Sequence, residues 1–170
     1  MEFEKVLQQR RSIRRYKPDC EISREVIEKV IHAGMLAPNA ANKRPWEFYV
    51  VHDREKLEKV VSIHPAGKIL KDASVLLVVC VRKSLGKPMP EEFLYLDAAA
   101  AVTQMLLQIT DCGYSGCWVG AYPSTEKMQG LAEVLQLDED CVAVASIVMG
   151  VADEEPAIRG FWEPEKVHYV

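Results

Sequence analysis

Several things are scarce or missing in this chain, and each absence narrows what it does. There are only five cysteines, at positions 20, 80, 112, 117 and 141, and no two are spaced Cys-x-x-Cys. An odd, scattered set predicts neither a disulfide framework nor a zinc site, and points to reduced thiols and a cytoplasmic location. No apolar run approaches about 20 residues, so no membrane span is expected. The first residues, Met1-Glu2-Phe3-Glu4-Lys5, are acidic and amphipathic and do not resemble a secretory leader. There is no excess of positive charge either: the net charge is −4, which argues against general binding to nucleic acid. No internal repeat, low-complexity tract, Ser-His-Asp arrangement or pair of facing carboxylates presents itself. His32 falls within a helical pattern with no partner in view and reads as a core or surface histidine.

What is present is an ordinary globular composition, 49% hydrophobic and 27% charged over 170 residues, enough for one domain with a core. Against that acidic background Arg10-Arg11-Ser12-Ile13-Arg14-Arg15-Tyr16 places four guanidiniums and a hydroxyl within six positions. A phosphate monoester needs several donors converging on one small dianion. Arginine forks and a compact serine donor suit it. If the residues before Ser12 are helical, Arg10 and Arg14 share one face, and Arg11 and Arg15 the next. A solvated basic patch and a nucleic-acid contact are the other readings of the heptad alone.

Along the chain, residues 2–11 read as a helix with Phe3, Val6 and Leu7 on one stripe. Ser23 is a predicted N-cap for a helix carrying Val26, Ile27, Val30 and Ile31, which stops near Gly34 and Pro38. Residues 37–46, with two prolines and two asparagines, read as an ordered loop whose small side chains allow close approach to a flat ligand. A strand over 47–51 follows, then a helix capped by Asp53, a turn at 64–68 and a buried strand over 74–81. After a connector at 82–90 comes the longest helix, 91–110, apolar on most of its faces and ended by Gly113. Residues 114–123 read as a segment joining it to a helix over 124–136. A buried strand over 141–151 and a tail ending in a short strand near 166–170 complete the chain. Phe161, Trp162 and Tyr169 require that tail to lie against something, such as a neighbouring subunit. The order is not a clean strand–helix alternation, so an α+β fold is expected, with a mixed sheet wrapped by helices.

Taken together, these stretches resemble the FMN-dependent nitroreductase family. The match rests on Arg10-Arg11-Ser12-Ile13-Arg14, on Ala37-Pro38-Asn39-Ala40-Ala41-Asn42-Lys43-Arg44-Pro45-Trp46-Glu47-Phe48 and on Gly113–Gly120. Asp97-Ala98-Ala99-Ala100 with Gln104-Met105-Leu106-Leu107 resembles the family's central helix. The resemblance covers essentially the whole chain. It implies one nitroreductase-like FMN-binding domain over 1–170 and an intertwined homodimer, with flavin sites in the interface and the C-terminal tail on the partner. Matched by position, Arg10, Arg11 and Ser12 would hold the phosphate and ribityl end. Arg14 would reach the pyrimidine edge, where reduction leaves negative charge. Pro38, Asn39, Ala40 and Asn42 would come from the other subunit, while Val119 and Gly120 would offer backbone N–H groups near N5 and O4. Arg159 would close on the phosphate, and Lys68 would be a further contact.

The implied reaction is ping-pong hydride transfer from NADH or NADPH to a small oxidised acceptor such as a nitroaromatic or quinone. The flavin carries the chemistry, so no protein acid or base is nominated, nor any metal, nucleic-acid or membrane partner. Two alternatives share the fold: a flavin-binding or sensing homodimer without turnover, and reductive dehalogenase-type chemistry. The connector at 82–90 is short where larger members insert helices, which implies an open acceptor site. Cys117 reads as a small buried hydrophobe, and Trp118, Tyr122 and Phe93 read as core packing, with the lining of the acceptor site as their alternative.

Overall fold

In the computed structural model, which describes residues 1–63, 69–156 and 161–170, the chain folds as helices around one sheet. The elements are α1 (Phe3–Gln9), α2 (Arg24–Met35), β1 (Trp46–Val51), α3 (Arg54–Ile63), β2 (Val75–Arg82) and α4 (Lys83–Gly86). Then come α5 (Glu91–Asp111), β3 (Ser115–Gly120), α6 (Thr125–Leu135) and β4 (Cys141–Gly150). Short 3₁₀ turns lie at Ala40–Asn42 and Pro164–Lys166.

The four strands run in the order β1-β2-β4-β3, each pair antiparallel. A parallel component enters through an isolated bridge between Ser12 and Gly116 at the outer edge of β3. Continuous apolar strands need cover on both faces, and β2 and β4 have it. Val75, Leu77, Val79 and Val81 of β2 pack with Ile147 and Met149 of β4 against α2 and α5. Leu76, Val78, Ala143 and Val148 face the other way, toward Leu57 and Val60 of α3 and Leu131 of α6. The result is the expected α+β arrangement.

Local signals account for most element ends. Ser23 accepts a hydrogen bond from Val26 N–H, Asp53 Oδ1 one from Lys56 N–H at 2.8 Å, and Ser124 one from Lys127 N–H. After α5 the chain reverses at Gly113, whose φ of +81° favours a residue without a Cβ. By length and apolarity α5 could cross a membrane, yet it carries Glu91, Glu92, Asp97 and Asp111, and its apolar face fills the core.

Several expectations need correcting. α1 ends at Gln9, so the arginine segment is extended and Arg10 and Arg14 are not helical neighbours. Of its apolar stripe only Val6 is buried; Phe3 and Leu7 face out. Residues 115–120, expected as a connecting segment, form edge strand β3, because Ser115–Gly120 finds backbone partners along Ala145–Gly150. A helical turn, α4, breaks the 82–90 connector. No strand forms at 166–170, where a 3₁₀ turn precedes an exposed end. The predicted turn at 64–68 lies outside the described residues.

Candidate functional site

The arginine segment is laid along the edge of β3 by backbone pairing. Ile13 N–H donates to Gly116 O at 3.2 Å, Lys17 N–H to Val151 O at 2.9 Å, and Tyr16 bridges Ala152. Two side chains anchor it: Ile13 and Tyr16 are both buried, and the Tyr16 hydroxyl donates to Ile13 O (2.7 Å) and Val148 O (3.2 Å). Burial pushes the Tyr16 phenol well above its ordinary range. The fit is close, since a Cβ built on Gly150 would come within 2.7 Å of the Tyr16 ring, so glycine is required there.

With the apolar residues turned inward, Arg10, Arg11, Ser12 and Arg14 line one open cleft of ≈ 600 Å³, together with Glu154, Pro156 and Phe161. Local bonds shape its wall: Arg14 Nη1 donates to Ser12 O at 3.2 Å, and Arg11 Nη1 to Arg10 O at 3.0 Å. Cys117 is buried beneath. Burial raises its thiol above the ordinary range, partly opposed by Arg14 and Arg10, so it is protonated and behaves as a small hydrophobe. The donor set fits a phosphate-bearing ligand.

Three lining residues, Glu154, Pro156 and Phe161, were not expected. Glu154, from the strap after β4, takes the backbone N–H of Arg14 (2.5 Å) and of Arg15 (3.1 Å) on one carboxylate oxygen. Those bonds hold its carboxyl below the usual range. Phe161 comes from the tail. The only sequence signal was an acidic run of three at 153–155, which alone reads as a solvated run.

The 38–46 loop is a tight turn at the other end of α5. Ala41, Asn42 and Arg44 all have positive φ, near +50°, unusual for three non-glycine residues so close together. Two contacts hold this backbone: Asn39 Oδ1 accepts Arg44 N–H at 2.8 Å, and Asp97 Oδ1 of α5 accepts Ala40 N–H at 2.8 Å. Asp97 is only 5% exposed, and its other oxygen is buried without a partner. Burial raises its carboxyl above the ordinary range, opposed by the Ala40 hydrogen bond. Ala37 and Trp46 anchor the loop on Ala101.

Expected site residues therefore fall into separate groups. Arg10, Arg11, Ser12 and Arg14 share the cleft. Pro38, Asn39, Ala40 and Asn42 stand together on the loop, away from it within the same chain. Lys68 and Arg159 lie outside the described residues. On β3, Gly116 O faces outward to Ile13, so strand alternation turns the backbone of Trp118 and Gly120 to the same outer edge. Val119 N–H therefore faces β4, which corrects the expectation that it points to a ligand. Trp118, Tyr122 and Phe93 also depart from expectation. They are 39%, 43% and 41% exposed, and Tyr122 stacks on Tyr95 of α5 with ring centroids 4.1 Å apart. All three sit at the rim of the fold: Phe93 in the first turn of α5, Trp118 on the edge strand β3 and Tyr122 just past its end.

Comparison with known proteins agrees with this geometry. The Nitroreductase family profile matches residues 7–66 and 64–151. A candidate NADH dehydrogenase/NAD(P)H nitroreductase of Archaeoglobus fulgidus is 38% identical over 96% of this chain and 95% of its own length. An FMN-dependent nitroreductase from Clostridium difficile R20291 superposes with a TM-score of 0.87 at 29% identity, covering 96% of both chains. A candidate nitroreductase from Desulfovibrio desulfuricans, solved in complex with FMN, gives 0.85 at 25% identity over 100% of this chain and 97% of that one. Profile, full-length relative and fold agree, and the chain belongs to the Nitroreductase family.

Proposed function

We propose that this chain is one FMN-binding domain and works as an FMN-dependent oxidoreductase that moves hydride from NADH or NADPH to a small oxidised acceptor such as a nitroaromatic or quinone. The observation that carries the reading is the convergence of Arg10, Arg11, Ser12 and Arg14 on one cleft of an otherwise acidic protein. Relatives named for NAD(P)H and for FMN support the choice of reductant and cofactor.

The chain's own groups divide the work. Arg10, Arg11 and Ser12 bind the phosphate end by charge-assisted hydrogen bonds. Arg14 sets a fixed cation where negative charge develops on the pyrimidine edge, a preorganised field that lowers the barrier without a proton transfer. Gly120, the last residue of β3, meets the N5 and O4 side of the ring. FMN, when bound, supplies the hydride chemistry in alternating half-reactions with reductant and acceptor, which makes the kinetics ping-pong.

The reading includes a second copy of the chain. The arginine segment packs over Gly116, whose Cβ would meet Leu106 and Ile109, whereas the loop is held at Asp97. At 1.5 Å per residue these stations lie roughly 14–18 Å apart along α5. An exposed apolar stripe, with Leu36, Phe93 and Leu96, lies on the outside of α2 and α5. A homodimer covers that stripe, brings the partner's Pro38–Asn42 loop to the arginine cleft and gives the tail aromatics a surface to cover.

The test is spectral. Purified protein reconstituted with FMN should bleach anaerobically with NADH or NADPH, and Arg10→Ala with Ser12→Ala should lose the flavin while keeping its circular dichroism. A folded double variant with full FMN occupancy overturns the site. A flavin that neither nicotinamide reduces overturns the activity.

A further inference from the structure

Between Ile13 and Tyr16, both buried, stand two consecutive exposed residues, Arg14 and Arg15. A regular extended chain, with its two-residue period, would place only one outward residue between two inward ones. The segment therefore leaves regular extension in a bulge at Arg14–Arg15, where its pairing passes from Gly116 to Ala152. A bulge takes backbone groups out of the ladder, and these need another partner. Here both freed N–H groups converge on Oε1 of Glu154, at 2.5 and 3.1 Å, while Arg15 Nε lies 3.6 Å from Oε2. The adjoining backbone is zipped to the same strap, with Asp153 N–H donating to Arg15 O at 2.9 Å. Glu154 is also an acid in the wall of a cleft otherwise armed with arginines. A negative group there opposes anion binding, so its presence calls for another purpose.

We propose that Glu154 is a positioning residue for the flavin site. Its carboxylate pins the bulge, and the bulge keeps Tyr16 in the core while Arg14 stays in the cleft beside Arg10 and Ser12. The inference rests on the reading that FMN occupies this cleft. Geometry and charge are separable, because both amide bonds go to the same oxygen. Glu154→Gln keeps an acceptor there and removes the charge; Glu154→Ala removes both.

FMN titration of apo protein, followed by flavin fluorescence quenching, tests it. Glu154→Gln should bind FMN at least as tightly as wild type, since it removes a like charge from an anion cleft. Glu154→Ala should bind about tenfold more weakly or worse, with faster backbone amide exchange at Arg14 and Arg15 in the apo protein. Glu154→Ala within twofold of wild type overturns the proposal, as does Glu154→Gln falling as far as Glu154→Ala. Should Glu154→Ala not fold, Glu154→Asp takes its place: its side chain is one methylene shorter and cannot reach both amides, so affinity equal to wild type overturns the proposal. Failure of wild type itself to bind FMN refutes the proposed function instead, and the two failures are thereby distinguished.

Discussion

Mixing two crippled chains tests whether the flavin site is shared between copies. One variant carries Arg10→Ala and Ser12→Ala, in the cleft beside β3; the other carries Asn39→Ala and Asn42→Ala, on the loop at the far end of α5. If each flavin is gripped by the arginine segment of one protomer and the loop of its partner, a homodimer of either variant has two broken sites. A mixed dimer has one site broken on both sides and one untouched, combining the arginine segment of the second variant with the loop of the first. Random reassortment of equal amounts makes about half of all dimers mixed, so about one quarter of all sites should recover. The assay is co-refolding of the two variants with excess FMN, removal of free flavin by gel filtration, and bound flavin per chain from visible absorbance. Each variant refolded alone gives the baseline, and wild type refolded in parallel gives the ceiling. A mixture that stays at the baseline while wild type recovers fully refutes the shared site. A loop variant that retains full flavin by itself shows that the loop is no part of it.

Two further perturbations probe the frame around the site. Tyr16→Phe keeps the buried ring but strips Ile13 O and Val148 O of their shared donor, and should cost about 1–2 kcal/mol in chemical denaturation; a loss below about 0.5 kcal/mol would show that water or a shifted backbone replaces it. Arg82 forks onto Glu47 at 2.6 and 3.0 Å and reaches Asp138 at 3.0 Å and Asp140 at 3.5 Å. Hydrogen bonds from Arg82 hold Glu47 and Asp138 below the ordinary carboxylate range, and Ser84 first and then Arg82 do so for Asp140. Groups with lowered folded-state pKa values add stability above their unfolded values, near 4, and lose it as pH falls. Arg82→Met should therefore be less stable than wild type at pH 7, with a gap that closes in urea melts below about pH 4. A gap unchanged at pH 3 would mean that the Arg82 stem, not its charge, matters.

Ser23 and Asp53 cap their helices as their side-chain chemistry predicts, and the unbroken apolar runs of β2 and β4 are strands covered on both sides. These were legible because capping and periodicity act over a few neighbouring residues. The motif that carries the family resemblance was legible for the same reason: Arg10, Arg11, Ser12 and Arg14 are neighbours in the chain, and the structure gathers them into one cleft. What they rest on was not legible. Extended backbone replaces a helix after Gln9 because Gly116, about a hundred residues away, offers an edge to pair with. That same pairing decides which backbone groups of β3 face outward.

The amino-acid sequence alone thus determined the capped starts of the helices after Ser23 and Asp53, the central strands and the presence of an arginine cluster. Only the tertiary structure brought Glu154 to the Arg14 amide across 140 residues and Asp97 to the Ala40 amide across 57. Nothing local in either segment encodes a partner that far along the chain. The packed sheet fixes both meetings, because it is the sheet that sets where each buried anchor must sit.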